Sequence, residues 1–261
     1  MYNPNTQAVI NKFKDISKIN EQLISKHAKG QINGIETLFN IQYEIVSYFI
    51  GFWLSPRMPL RKGHRELVPL LFSLFHRNFF SYFSALKLSV NGLYMPARPL
   101  LRNIFESLMI AKFCNINDNV RVMKRWDSGE AVYFANSILK KIIVPDPKPL
   151  YDFWGLICEH AHATKSSSQL FLEFEQEDNI DGVSENLAII NALLECNYHL
   201  LNTHLITPRL SYMVKLYTTR DYKIPELRKE AHSQFKRNRK YLGPESIKLI
   251  STYKRKWQIR N

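Results

Sequence analysis

The chain has 261 residues, 45% hydrophobic and 23% charged, with a formal net charge of +13. These are ordinary globular proportions, and a chain this long can bury most of its apolar surface, so a disordered polymer and a fold that depends on disulfide or metal staples are both excluded. The three cysteines, Cys114, Cys158 and Cys196, are widely spaced with no Cys-x-x-Cys pair, which argues against a disulfide framework or a zinc knuckle and fits a reducing, cytoplasmic setting.

The start, MYNPNTQAVINKFKD, has no apolar core flanked by basic residues and does not read as a secretion signal. Over residues 5–29, Val9, Phe13, Ile16, Ile19 and Leu23 recur at helical spacing and predict an amphipathic first helix. Gly30 and Gly34 punctuate it, and residues 35–53 are expected to form a second helix. The stretch 35–54 is the most apolar of the chain. Glu36, Asn40, Gln42 and Glu44 interrupt it, so it reads as a core helix and no membrane partner is expected. Residues 55–66, SPRMPLRKGHRE, form a loop by their prolines and glycine. A long apolar helix follows over 67–90, with Phe72, Phe75, Phe79, Phe80 and Phe83; residues 91–96, NGLYMP, break it.

From Pro96 a further helix begins with prolines near its N-terminus, where their missing N–H costs little. Residues 120–143 are expected to be helical, 144–149 a stiff turn, and 150–163 helical again, followed by the polar loop TKSSS. Residues 169–175, QLFLEFE, are the one candidate strand. Ser184 is expected to cap a helix reaching about residue 204, with helices over 207–222, 225–241 and 245–257 beyond it. The excess charge is local: residues 206–261 hold 15 Lys and Arg against 4 Asp and Glu, whereas residues 1–205 hold 21 against 19. Such a segment attracts polyanions, or else serves as a solvated helical surface.

Arg98, Arg102 and Glu106 lie at i, i+4 and i+8, on one face of a helix that is apolar nearly all round. A helix so apolar is buried, and a buried charge needs a partner. The group is either an arginine that binds phosphate, held by its glutamate, or an internal ion pair that fixes helix packing. In FWGLICEHAHATKSSS, residues 153–168, Glu159 and His162 have the Glu-x-x-His spacing of a di-iron helix, but no second copy exists. Glu195 and His199, four apart, add little to it, so neither metal nor cofactor is expected. His162, near Thr164 and Ser166, fits a general acid–base or a helix-capping imidazole. At the C-terminus Lys236, Arg237, Arg239, Lys240, Lys254, Arg255 and Lys256 interleave with Phe235, Tyr241, Tyr253 and Trp257. Basic groups meet phosphates and aromatics stack on unpaired bases, or the aromatics anchor the helices while the cations are solvated.

Residues 86–113, LKLSVNGLYMPARPLLRNIFESLMIAKF, followed by FWGLICEHAHAT, resemble a HEPN-like helical family found in bacteria near antiphage defence genes. In that family a helix bearing Arg-x-x-x-Glu follows a glycine, and Arg102 and Glu106 match it. A later Leu-Ser-x-x-x-His-like motif places its histidine at His162, with Cys158 where the serine usually stands. Arg57 and His64 also have the Arg-x(4–6)-His spacing of HEPN ribonucleases, within a proline-containing loop rather than at a helix end. The resemblance covers residues 65–205. It implies a helical bundle, homodimerisation and, by distant analogy, nuclease activity; the N-terminal helices and the basic C-terminal helices lie outside it. The expected fold is thus all-α, a HEPN-like helical bundle with additional N-terminal and basic C-terminal helices, and a second defence-system subunit is a further candidate partner.

The expected organisation is therefore a helical core over 1–205 and a basic extension over 206–261. The expected function is a metal-independent endoribonuclease, or toxin-like effector, in antiphage defence. His162 would move protons and Arg102, oriented by Glu106, would stabilise the phosphorane. The alternative is a non-catalytic module that binds nucleic acid, RNA before DNA, or a partner protein, in which Arg102, Glu106 and His162 form a structural network.

Overall fold

The computed structural model describes residues 4–53, 64–117, 119–130, 132–159, 180–206 and 223–260. The expected strand at 169–175, the expected helix at 207–222, and Arg57, His160 and His162 lie outside them. The described residues form an all-α protein, and no helix among them is long and apolar enough to cross a membrane.

Helix α1 runs unbroken over Pro4–Trp53, 50 residues, where the sequence predicts two helices parted by Gly30 and Gly34. The glycines are there for contact, not for a break. A Cβ on Gly30 would stand 2.6 Å from the Tyr241 hydroxyl, and one on Gly34 would stand 2.3 Å from Asn238 Oδ1 and 2.9 Å from Gln234 Nε2. Each glycine costs roughly 0.5–1 kcal/mol of helix propensity, a cost offset by letting the C-terminal segment pack directly on the α1 backbone.

Helices α2, His64–Val90, and α3, Tyr94–Asn117, pack as an antiparallel pair across a three-residue turn. Gly92, with φ of +79°, takes the left-handed conformation, and the Leu93 N–H reaches back to the Leu88 carbonyl at 2.8 Å. Those two features close the end of α2 with a Schellman-type cap. Phe72, Phe75 and Phe79 are buried as expected, while Phe80 and Phe83 are 64% and 52% exposed. Helix α4 covers only Val120–Asp127 of the helix expected over 120–143. The side chain of Ser128 turns back on the Arg125 carbonyl, and Gly129 adopts φ of +81°, a conformation a helix interior does not permit. A π-helical turn at Phe134–Ile138, a 3-10 turn at Leu139–Lys141 and a short strand β1, Ile142–Ile143, follow.

Helix α5 spans Lys148–Glu159, and α6 spans Ile180–Leu201, starting ahead of Ser184, which therefore lies inside it. Helix α6 is buried along most of its length and contacts α1, α2 and α3. Its buried asparagines donate inside the core, as burial favours, although Asn186 Oδ1 and Asn197 Oδ1 meet no partner there. Asn186 Nδ2 donates to Tyr94 O at 2.7 Å, Gln42 Nε2 to Leu194 O at 3.0 Å, and Asn197 Nδ2 to Gln42 Oε1 at 2.8 Å. These bonds fix the register of α6 against its neighbours in a way that apolar contacts alone do not.

The C-terminal elements are α7, Ile224–Asn238, a 3-10 turn at Arg239–Tyr241, α8, Pro244–Lys254, and strand β2, Gln258–Ile259. They pack into the same core as the rest. Helix α7 lies on α1, α8 lies on α5 and α6, and Leu249, Ile250, Tyr253 and Trp257 are buried with the residues of α3 and α6. Strand β2 pairs antiparallel with β1, setting Ile259 opposite Ile142, so the chain end is clipped to its middle.

Replacing Gly34 by Ala is expected to cost about 1–3 kcal/mol by overpacking. Gly155→Ala in α5, where a Cβ meets nothing within 4 Å, is expected to be neutral or to stabilise by up to about 1 kcal/mol. Paired urea melts of the two variants check this contrast.

Candidate functional site

The resemblance motif sits where α3 meets α5. Arg102 Nε donates to Glu106 Oε1 at 2.8 Å, the i,i+4 pair that the spacing predicts, and Trp154 Nε1 of α5 donates to the same oxygen at 3.2 Å. The side chains are 26% and 22% exposed, so the pair is held but reachable by water. Burial opposes the charge on Arg102; the hydrogen bond and charge of Glu106 outweigh it and raise the pKa above the usual value. Cys158 faces this pair. Burial raises its thiol pKa, Arg102 opposes and Glu106 adds to the rise, so the thiol is not an activated nucleophile.

Arg98 leaves the expected trio. It is almost fully buried and pairs with Glu185 of α6, not with Glu106. Burial lowers its pKa and Glu185 opposes that. This is a packing contact between α3 and α6. The helical spacing of residues 98, 102 and 106 is real, but the crowding of α6 against the first turns of α3 separates their environments. His162 lies outside the described residues, four positions beyond Cys158.

The basic C-terminal segment divides its residue types sharply. Phe235, Tyr253 and Trp257 are buried, and Tyr253 donates its hydroxyl to the Leu108 carbonyl at 3.0 Å. These rings anchor helices and offer no face to a base. Lys236, Arg237, Lys240, Lys254, Arg255 and Lys256 are exposed, and Arg239 is half-buried. Lys112, a lone lysine in the apolar α3, fastens the end of α8. Its ammonium donates to the carbonyls of Tyr253 and Arg255 and lies 4.5 and 4.1 Å from the ring centres of Tyr253 and Trp257. The last carbonyls of a helix have no helical partner, and a cation there satisfies them. Burial lowers the Lys112 pKa to about 7, opposed by Cys196.

A second buried charge organises the same end of the molecule. Glu195 of α6 has a side chain only 4% exposed, and its Oε1 accepts from Arg239 Nη2 at 2.9 Å and from Lys254 Nζ at 2.5 Å. The Glu195–His199 spacing therefore serves two cations, and among the described residues no three His, Cys, Asp or Glu gather to hold a metal. Beside this bridge is a recess of about 390 Å³ between α6, α7 and α8, into which His199, His232, Lys236, Arg239 and Lys254 project. Burial, then the charges of Lys112, Lys254 and His204, push the His199 pKa down to about 4. The His232 ring has Nδ1 2.7 Å from the Arg228 carbonyl, which fixes the proton on Nδ1 in the neutral ring.

Sequence reasoning missed this recess. Its trace was present: His232 and Lys236 stand at i and i+4 on one face of α7, with Arg239 at i+7 in the turn just past it, facing a helix with Glu and His four apart. The chain matches no family model, and no curated protein or solved structure is similar to it at a significant level.

The low pKa of His199 gives a pH dependence with a definite sign. Its folded value lies below the ordinary 6.5, so its contribution to stability is complete above 6.5 and is lost as pH falls toward 4. His199→Gln is expected to flatten the loss of stability over that interval, seen in urea midpoints measured at pH 7 and pH 4.5.

Proposed function

We propose that the protein binds nucleic acid through phosphate contacts made by its cationic C-terminal face, with Lys236, Arg237, Arg239, Lys240, Lys254, Arg255 and Lys256 as the contacting residues. The supporting observation is the distribution of side chains in that segment: Phe235, Tyr253 and Trp257 are buried as anchors, Tyr241 is half-buried, and the cations other than Arg239 and Lys254, which reach Glu195, are turned outward. A face of this kind recognises backbone charge and not base identity, because base readout needs aromatic platforms or groove-directed donors. Its binding is therefore electrostatic and tolerant of sequence.

Affinity is expected to fall linearly with salt on a log–log plot, by about 0.9 per phosphate contact on B-DNA and about 0.7 on a single strand. Charge reversal at Lys236 and Lys240 is expected to reduce that slope by about one to two contacts. Fluorescence anisotropy between 50 and 300 mM salt measures it, and a salt-independent constant removes the proposal.

A second reading draws on the Arg102–Glu106 pair, held by Trp154 yet partly exposed, and on the HEPN-like pattern around it. In that reading the protein is a metal-independent endoribonuclease of antiphage defence. His162 takes the proton of a ribose 2′-hydroxyl as that oxygen bonds to the adjacent phosphorus. The bond from phosphorus to the 5′ oxygen breaks and the departing oxygen receives the proton from the imidazolium, while Arg102 stabilises the charge that develops on the attacked phosphate. Purified protein in EDTA is then expected to cut RNA to 2′,3′-cyclic phosphate ends. His162→Ala and Arg102→Ala are expected to slow the cutting by 10²-fold or more. Intact RNA, or equal cutting by the variants, eliminates this reading.

A further inference from the structure

We propose that the recess between α6, α7 and α8 is a binding site for a phosphomonoester, presented by the end of a nucleic-acid strand or by a free nucleotide. This refines the nucleic-acid reading by naming the kind of phosphate that the innermost part of the cationic face accepts.

Charge is the first argument. Lys236, Arg239 and Lys254 bring three cations to a recess whose one lining carboxylate, Glu195, is already shared between Arg239 and Lys254. Counting the imidazoles as neutral, the lining carries two positive charges in excess. A phosphomonoester brings about −1.5 to −2 near pH 7, whereas an internal phosphodiester brings one negative charge per residue. Donor capacity is the second. A guanidinium has five N–H groups and an ammonium three, and Arg239 and Lys254, each side chain 41% exposed, give Glu195 one bond apiece. Donors remain for an incoming oxygen anion, and charge-assisted bonds of this type are the strong ones.

Shape is the third argument. The inner wall is α6, buried along most of its length, and its Tyr198 ring packs on Phe235, which closes the α7 side. A strand cannot run through such a wall, but a chain end or a single nucleotide can enter. The volume of about 390 Å³ falls within the ~300–1,000 Å³ of small-molecule sites.

His199 reports on occupancy. It faces Lys112 of α3, Tyr253 and Lys254 of α8, and His204 beyond α6; Glu195 stands one turn before it, and His232, Lys236 and Arg239 line the recess from α7. Burial first, and then these cations, hold its pKa at about 4. A bound dianion cancels part of their repulsion, so His199 takes up a proton more readily in the complex.

The test uses the full chain with adenosine 5′-monophosphate, adenosine, and short oligoribonucleotides with a 5′-phosphate or a 5′-hydroxyl. Calorimetry is expected to show binding of the monophosphate and none of adenosine. Lys236→Ala is expected to weaken it about tenfold, the worth of one charge-assisted hydrogen bond. Glu195→Gln, which removes the competing carboxylate, is expected to tighten it by a similar factor. The NMR titration midpoint of His199 is expected to move upward by about one unit when the monophosphate is saturating. Lys236 is exposed, so its variant stays folded and decides the matter if Glu195→Gln does not fold.

A preference for the 5′-phosphorylated strand assigns the ligand to strand ends; equal binding of the two strands with retained monophosphate binding assigns it to free nucleotides. Equal response to the monophosphate and adenosine overturns the proposal, as does an affinity unmoved by Lys236→Ala. Salt-dependent RNA binding alongside that failure leaves the nucleic-acid reading standing; monophosphate binding without RNA binding does the reverse.

Discussion

The C-terminal end of the molecule depends on one buried carboxylate. Glu195 sits on the most enclosed helix of the fold, where an unpaired charge is costly. It is compensated by Arg239, just past the end of α7, and Lys254, at the end of α8. Two elements that meet the core from different directions are thereby tied to one oxygen. Lys112 makes the complementary contact, a cation from inside the core that satisfies the carbonyls at the end of α8. The two contacts have opposite sign and together fix the position of the basic segment. The buried rings of Phe235, Tyr253 and Trp257 supply its apolar adhesion.

That anchoring holds the basic residues of 223–260 against the core. The cations nearest the core are partly neutralised by Glu195, and those farther out are hydrated. It also shapes what the segment can recognise. In the proposed reading, rings that serve as anchors give no stacking platform, and specificity comes from charge and from the form of the recess. The Arg102–Glu106 pair is a separate matter. It lies at the contact of α3 with α5, where Trp154 shares its carboxylate oxygen.

Much of the helical pattern could be read directly. The apolar spacing over residues 67–90 and the prolines before residue 100 marked α2 and α3 to within a few residues. The Arg102–Glu106 pair followed from spacing alone. Other features were legible only in part. Gly30 and Gly34 look like helix breakers because a glycine's conformational freedom is visible in sequence and its close neighbour is not. The Ser128-Gly129 pair carried the signal that ends α4, yet it was outweighed by helical spacing on either side. Arg98 shared a predicted face with Arg102 but met Glu185, since the partner of a buried charge is set by which helix crosses it.

The sequence by itself determined the all-α class, most helix boundaries, the C-terminal concentration of charge and the local ion pair on α3. These depend on propensity, periodicity and contacts within about four residues. Only the tertiary structure decided that α1 is continuous, that the C-terminal aromatics face inward, and that Glu195, His199, His232, Lys236, Arg239 and Lys254 surround one recess. Those facts depend on distant residues: Glu195 meets Arg239 and Lys254 at 44 and 59 positions' separation. No local rule orients such residues; the packing of α7 against the bare backbone at Gly34 and the pairing of Glu195 do.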